Sequence, residues 1–279
     1  MKKILKYFLF LLIIIISISL PLFSFSFDIS TILTAVALLF SILLGFFIAA
    51  ATSNYLKLQT NISQEDSCLI YIFGLVKIIQ PQAEEKIAKA IDEYMIAALD
   101  YEYLEYITYT STEFNALLSV IDDVCTTAGA NQPLIQNLQG AKEKLLSYRM
   151  EDLLASQKVV TKNHWLILGT LSAIISVMLL SLRTEEIFSS VLIGIIVITI
   201  CQILLLLRDI DANIFLADKI GYGAEPQSVF RAIGKDDYYP EIALKFIGKK
   251  NLSKKYRVGE YINYPASFEK TIKLRGEKI

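Results

Sequence analysis

The chain has 279 residues, of which 54% are hydrophobic and 20% charged, and its formal net charge is −1. Soluble domains draw only ~45–50% of their residues from the apolar set even with glycine included, so an ordinary soluble domain is excluded. A mean hydropathy of +0.49 agrees. The apolar residues gather in four blocks: Ile4 to Phe23, interrupted by Lys6, then Ile32 to Ala51, Trp165 to Leu182, and Ile187 to Leu207. At ~1.5 Å rise per residue each block is about 27–32 Å long as a helix, matching a hydrocarbon core of ~30 Å. The expected fold class is all-α: a polytopic membrane protein with four transmembrane helices and a helical cytoplasmic insert between spans 2 and 3. The expected divisions are 1–51 (spans 1 and 2), 52–164 (cytoplasmic helices), 165–207 (a hairpin of spans 3 and 4) and 208–279 (a cytoplasmic tail).

Span 1 opens on Lys2, Lys3 and Lys6, whereas the connection to span 2 carries only Asp28. A basic start, an apolar core and Ser24-Phe25-Ser26 also describe a secretory signal peptide, but the apolar block exceeds the usual ~7–15 residues of such a region. Retention as a span is therefore expected. The connection Arg183-Thr184-Glu185-Glu186 holds one basic residue, while the segment after span 4 holds 14 Lys and Arg in 72 residues. The positive-inside rule then puts both termini and the insert in the cytoplasm of a multi-pass protein of the cell (inner) membrane. On that side the glycosylation-like triplets at Asn61 and Asn251 carry no weight.

Span 2 is expected to continue as helix through Tyr55 and Leu58, since no Gly or Pro interrupts it before Gly74. In the insert, Ile87, Ile91, Tyr94, Ala98 and Tyr101 recur at steps of three and four, with Glu84, Glu85, Lys86, Lys89 and Asp92 opposite; this is an amphipathic helix. A second begins at Thr112 and ends by Gly129 and Pro133; a third runs from about Pro133 to Lys158, with Leu138, Ala141, Leu145 and Tyr148 on one side. Four polar residues join spans 3 and 4, so these form an antiparallel hairpin. In the tail, Gly221 to Pro226 reads as a turn, Gln227 to Ile233 as a short helix and Asp237 to Pro240 as a break. Beyond Lys249 the chain is basic with interleaved tyrosines.

Signals for catalysis are thin, and no enzyme is expected. His164, the single histidine, borders the membrane interface beside Trp165 and reads as an anchor. No metal-site spacing and no cofactor motif occurs: Gly221-Tyr222-Gly223 follows no strand, and Ala232 to Lys235 lacks the rest of a phosphate loop. The pairs Glu84/Glu85 and Asp122/Asp123 lie on solvated helix faces. Cys68, Cys125 and Cys201 form no CxxC pair and read as free thiols. The basic tail fits anionic lipid at least as well as nucleic acid, and no nucleic-acid partner is expected.

Span 2 carries the unusual pattern. Ala37, Ser41, Gly45, Ala49 and Ser53 recur every fourth residue as a ridge of small side chains, the spacing that lets another helix approach closely. Leu38, Ile42, Phe46 and Ala50 form a second row beside it. The ridge fits either spans 3 and 4 of the same chain or a second copy, with the large row then turned towards a common axis.

The stretch Leu38 to Tyr55, LLFSILLGFFIAAATSNY, resembles the second transmembrane helix of bestrophins, a family of anion channels, and the four-span plan is similar too. The closer likeness is to bacterial bestrophin-like membrane proteins, through Tyr148-Arg149-Met150-Glu151-Asp152-Leu153-Leu154-Ala155 before span 3 and Arg208-Asp209-Ile210-Asp211-Ala212-Asn213-Ile214-Phe215 after span 4. It covers roughly residues 30–216. The match of Gly45-Phe46 implies pore-neck roles for Leu38, Ile42 and Phe46 and helix packing through Ala37, Ser41, Gly45 and Ala49. Implied partners are the lipid bilayer, further copies in a homo-oligomer, with a pentamer among the arrangements, and small anions. Ile214 stands where bestrophins have a proline before an acidic calcium-binding cluster, so calcium control is not expected; Leu39 stands where many have a neck proline. A non-conducting scaffold or sensor acting through the cytoplasmic helices is the alternative.

Overall fold

The computed structural model describes residues 29–101, 106–127, 131–184, 186–212, 224–245, 247, 252–264 and 267–276, with Ile15, Ile18 and Ser19. Apart from those three, the first expected span lies outside the described residues, as does Gly221-Tyr222-Gly223. The chain divides into two compact units, residues 1–53 with 158–212 and residues 54–157 with 213–279.

In the first unit stand α6 (Lys162–Ser181), α7 (Ile187–Asp211) and the opening half of α1 (Ile29–Ile79). These three are long and apolar enough to cross a membrane, and they contain the second, third and fourth expected spans. Their mutual core is formed by Phe40, Leu44, Phe47, Ala51, Leu168, Ile175 and Leu207 with Val160. The entry to α6 is fixed twice. Thr161 Oγ1 accepts from the His164 N–H at 3.5 Å while the Thr161 N–H donates to His164 Nδ1 at 3.3 Å, a reciprocal cap on the helix N-terminus. Asp211, at the end of α7, accepts from the N–H groups of Val159 at 2.8 Å and Val160 at 3.1 Å.

The second unit contains the rest of α1, which runs unbroken to Ile79 because neither a proline nor a left-handed glycine interrupts it, Gly74 being helical. Pro81 then starts a 3-10 turn that leads into α2 (Glu84–Asp100). A short α3 (Tyr106–Tyr109) precedes α4 (Ser111–Thr127) and α5 (Gln132–Ala155), whose first turn holds Pro133 where its missing N–H costs nothing. The three amphipathic helices of the insert thus stand within a few residues of their expected bounds. Their apolar faces meet around Ile87, Ile91, Leu117, Ile121, Leu138 and Leu145, all fully buried.

The all-α expectation needs correction in the tail. The chain is mostly helical, and α8 (Ala224–Ala232) is the expected short helix, but a three-stranded sheet follows it. Strand β1 (Asp237–Pro240) pairs in parallel with β2 (Lys255–Tyr261), which pairs antiparallel with β3 (Lys270–Gly276), Val258 facing Lys273. Alternation in KYRVGEY and KTIKLRG is hard to see because Lys and Arg occupy positions on both faces, where their stems cover apolar surface. The supposed break at Asp237 to Pro240 is a strand because its proline ends it. Gln227 closes the free edge of β1, donating from Nε2 to the Tyr238 carbonyl and accepting from the Tyr238 N–H, both at 2.9 Å. Gly259 admits the Tyr238 ring: a Cβ there would lie 2.0 Å from the tyrosine hydroxyl.

Candidate functional site

On α1 the face that packs within the chain is Phe40, Leu44, Phe47 and Ala51. The row beside it is left uncovered, with Leu38 60%, Ile42 61% and Phe46 65% exposed. Of the small ridge, Ala37 is half-buried while Ser41, Gly45 and Ala49 are exposed, and a Cβ built on Gly45 meets nothing within 4 Å. Six of the seven residues singled out on this span are thus exposed on the side of the helix that this single chain does not use for its own core, while Ala37 packs at the edge of that core. His164 belongs elsewhere: its ring lies 4.7 Å from that of Phe47 and its nitrogen serves the cap of α6.

The second unit holds polar groups that sequence patterns did not single out together. Arg149 of α5 is buried and donates to the Tyr94 hydroxyl at 2.8 Å, the Ile107 carbonyl at 2.7 Å and Thr110 Oγ1 at 3.1 Å. Its guanidinium lies 4.2 Å from the centroid of the Phe114 ring. Tyr94 in turn donates to Glu65 of α1. One cation thereby ties together four helices of the insert, and this is the structural role of the Arg-bearing helix noted in the sequence.

Beside Glu65, Asp66 is buried, and its Oδ2 has no hydrogen-bond partner among the described residues. Burial, and then the like charges of Glu65, Glu225 and Asp152, hold its carboxyl well above the usual range. Burial pushes the Tyr94 hydroxyl up as well, with Glu65 adding to the shift. A second hub is Asp100, at the end of α2, which accepts from the hydroxyls of Tyr238 at 2.7 Å and Tyr261 at 2.6 Å and from the Lys270 ammonium. Asp92, two turns earlier, takes both arms of Arg257 at 2.8 and 2.6 Å. These contacts bind the sheet to α2. Tyr94 was visible in the sequence as one member of an apolar stripe, and nothing in its spacing announced the arginine. No group of three or more His, Cys, Asp or Glu among the described residues is arranged to hold a metal ion.

A sequence model of the Bestrophin-like domain matches residues 28–212. The chain belongs to the bestrophin-like family. No curated protein matches it. Among solved structures it is similar to a bacterial bestrophin homolog from Klebsiella pneumoniae, at 12% identity and a TM-score of 0.59, over 84% of this chain and 99% of that one. It is also similar to a crystal structure described as a membrane protein, at 14% identity and a TM-score of 0.57, over 83% and 98%. At such identities the likeness speaks for the fold. With three apolar helices and this family, the chain is a membrane protein.

Proposed function

We propose that this bestrophin-like protein is a homo-oligomeric channel for small anions in the cell (inner) membrane, with both termini in the cytoplasm. Leu38, Ile42 and Phe46 of each copy form an apolar neck around a common axis. The ridge of Ala37, Ser41, Gly45 and Ala49 packs against the neighbouring copy. The observation that carries the reading is the uncovered row itself. Three large apolar side chains at successive turns, each 60% exposed or more, lie beside a small-residue face on the helix that the family match includes. Lipid also accepts such a row, but lipid gives no reason for the small ridge next to it.

Uncharged apolar rings hold a pore closed by dewetting and become passable when widened. Truncation of Leu38, Ile42 and Phe46 together to Ala removes bulk and adds no charge. Anion flux into liposomes carrying the triple variant is expected to exceed that of the wild type, with oligomer size unchanged. If both proteins match empty liposomes while the oligomer stays intact, the channel reading fails and the scaffold or sensor reading takes its place.

A further inference from the structure

A cleft of about 360 Å³ opens between α1 and α5 in the second unit. Its charge is one-sided: Lys144 is the charged residue on its walls, and no aspartate or glutamate lines it. Lys144 also has no carboxylate within salt-bridge distance among the described residues. The same unit pairs Lys57 with Glu151, Lys77 with Glu84, Lys86 with Asp123 and Lys142 with Asp122. Burial, and then the Glu65 carboxylate behind the wall, push the Cys68 thiol up to about 11, and the Lys144 charge opposes them from the cleft side. That thiol donates to the Ala141 carbonyl at 3.2 Å and is not left seeking a partner.

The remaining polar groups are neutral. Gln64, Gln136 and Asn137 bring carboxamides that both donate and accept, and Tyr71 and Tyr148 bring aromatic rings. A halide would leave most of the space to water. A volume of about 360 Å³ lies in the ~300–1,000 Å³ range of small-molecule sites, where a few placed polar groups orient a largely apolar ligand. An ammonium without a counter-ion, in walls free of carboxylate, selects for negative charge. We propose that this cleft binds a small organic monoanion: its carboxylate rests on Lys144, its polar substituents on Gln64, Gln136 and Asn137, and its apolar body against Tyr71 and Tyr148. The assignment needs neither conduction nor assembly, so it stands apart from the channel reading.

The test is calorimetric titration of the full chain in detergent with benzoate, and with benzamide as its uncharged counterpart. Benzoate is expected to give saturable heat and benzamide none. Lys144→Gln should bind benzoate at least about tenfold more weakly, the loss that goes with removing a charge-assisted contact. Lys57→Gln, which alters a lysine paired with Glu151, should leave the affinity unchanged. Gly140 offers a second variant, because it lines the cleft and a Cβ there meets nothing within 4 Å. Gly140→Leu fills the cleft from a helix that accepts leucine better than glycine, and should abolish saturable binding without loss of stability. No saturable benzoate heat in the wild type, equal binding of benzamide, or wild-type affinity in both Lys144→Gln and Gly140→Leu overturns the assignment.

Discussion

In the unit built from α6, α7 and the first half of α1, the exposed side chains include Leu166, Val177, Ile187, Phe188 and Leu192. In the other unit, charged side chains occupy the surface, and Glu65, Asp66, Asp100, Arg149 and Asp152 are inside. The difference follows from solvent. Between helices in lipid the hydrophobic effect is weak, so a spanning unit holds together by close packing and by spending its few polar groups on backbone. Asp211 does this, as do Thr170, Ser176 and Thr199, which donate to carbonyls of their own helices. In water, apolar surface drives the fold, and buried polar groups are held where they satisfy one another, as around Arg149 and Asp100, or where a carboxyl is pushed towards its neutral form, as at Asp66.

The contrast breaks most directly at Arg149. Arg149→Leu leaves Glu65 buried without the cation behind Tyr94 and strips Thr110 and the Ile107 carbonyl of a donor. Removing one member of a buried charged network costs about 3–5 kcal/mol. Denaturant unfolding monitored by circular dichroism should therefore show the second unit losing most of its stability. A loss below about 1 kcal/mol, the scale of a surface ion pair, would mean that apolar packing alone holds this unit.

A smaller effect is expected in the spanning unit at Asp211. Asp211→Ala orphans the N–H groups of Val159 and Val160, at about 1–3 kcal/mol for an unsatisfied buried group. Asp211→Asn keeps an oxygen for both and should retain most of the stability. Thermal unfolding in detergent separates the two variants. Equal losses in both would show that the negative charge, rather than the acceptor geometry, is what the connection requires.

How much of this was legible depended on the period of the pattern. The spans stand out because lipid demands ~20 apolar residues in a row, and the insert helices because one face repeats at 3.6 residues. The sheet was missed because β1 has only four residues, β3 is basic on both faces, and the acids that the sheet's basic residues meet lie far away in sequence: Arg257 reaches Asp92, and Lys270 reaches Asp100. The row Leu38, Ile42 and Phe46 was found from spacing alone, and the structure adds that the chain does not cover it. The Arg149 network was half visible. Resemblance singled out the helix that carries it, but a tyrosine in an apolar stripe gives no sign that its hydroxyl bridges an arginine and a glutamate. The cleft around Lys144 could not be read at all, since a lysine without a partner is defined by what lies around it in space.

An effect of opposite sign is expected at Asp66. Its carboxyl is held above the usual range by burial and then by Glu65, Glu225 and Asp152, so the group takes up a proton on folding at pH values between its unfolded and its folded pKa. For a group whose pKa is raised on folding, the contribution to stability is fully present below the unfolded value, ~3.9, and is lost as pH rises through the folded one. Asp66→Asn removes that proton uptake while keeping nearly the shape of the neutral acid, and its amide can donate towards the surrounding carboxylates. The variant should therefore be more stable than the wild type as pH rises above the unfolded value, with the gap closing on acidification. Unfolding curves of both proteins from about pH 5 to about pH 8 provide the measurement, and the wild type should lose stability relative to the variant as pH rises. Parallel curves would mean that Asp66 is ionised in the fold, and that the second unit tolerates an uncompensated buried charge where the comparison with the spanning unit says it cannot.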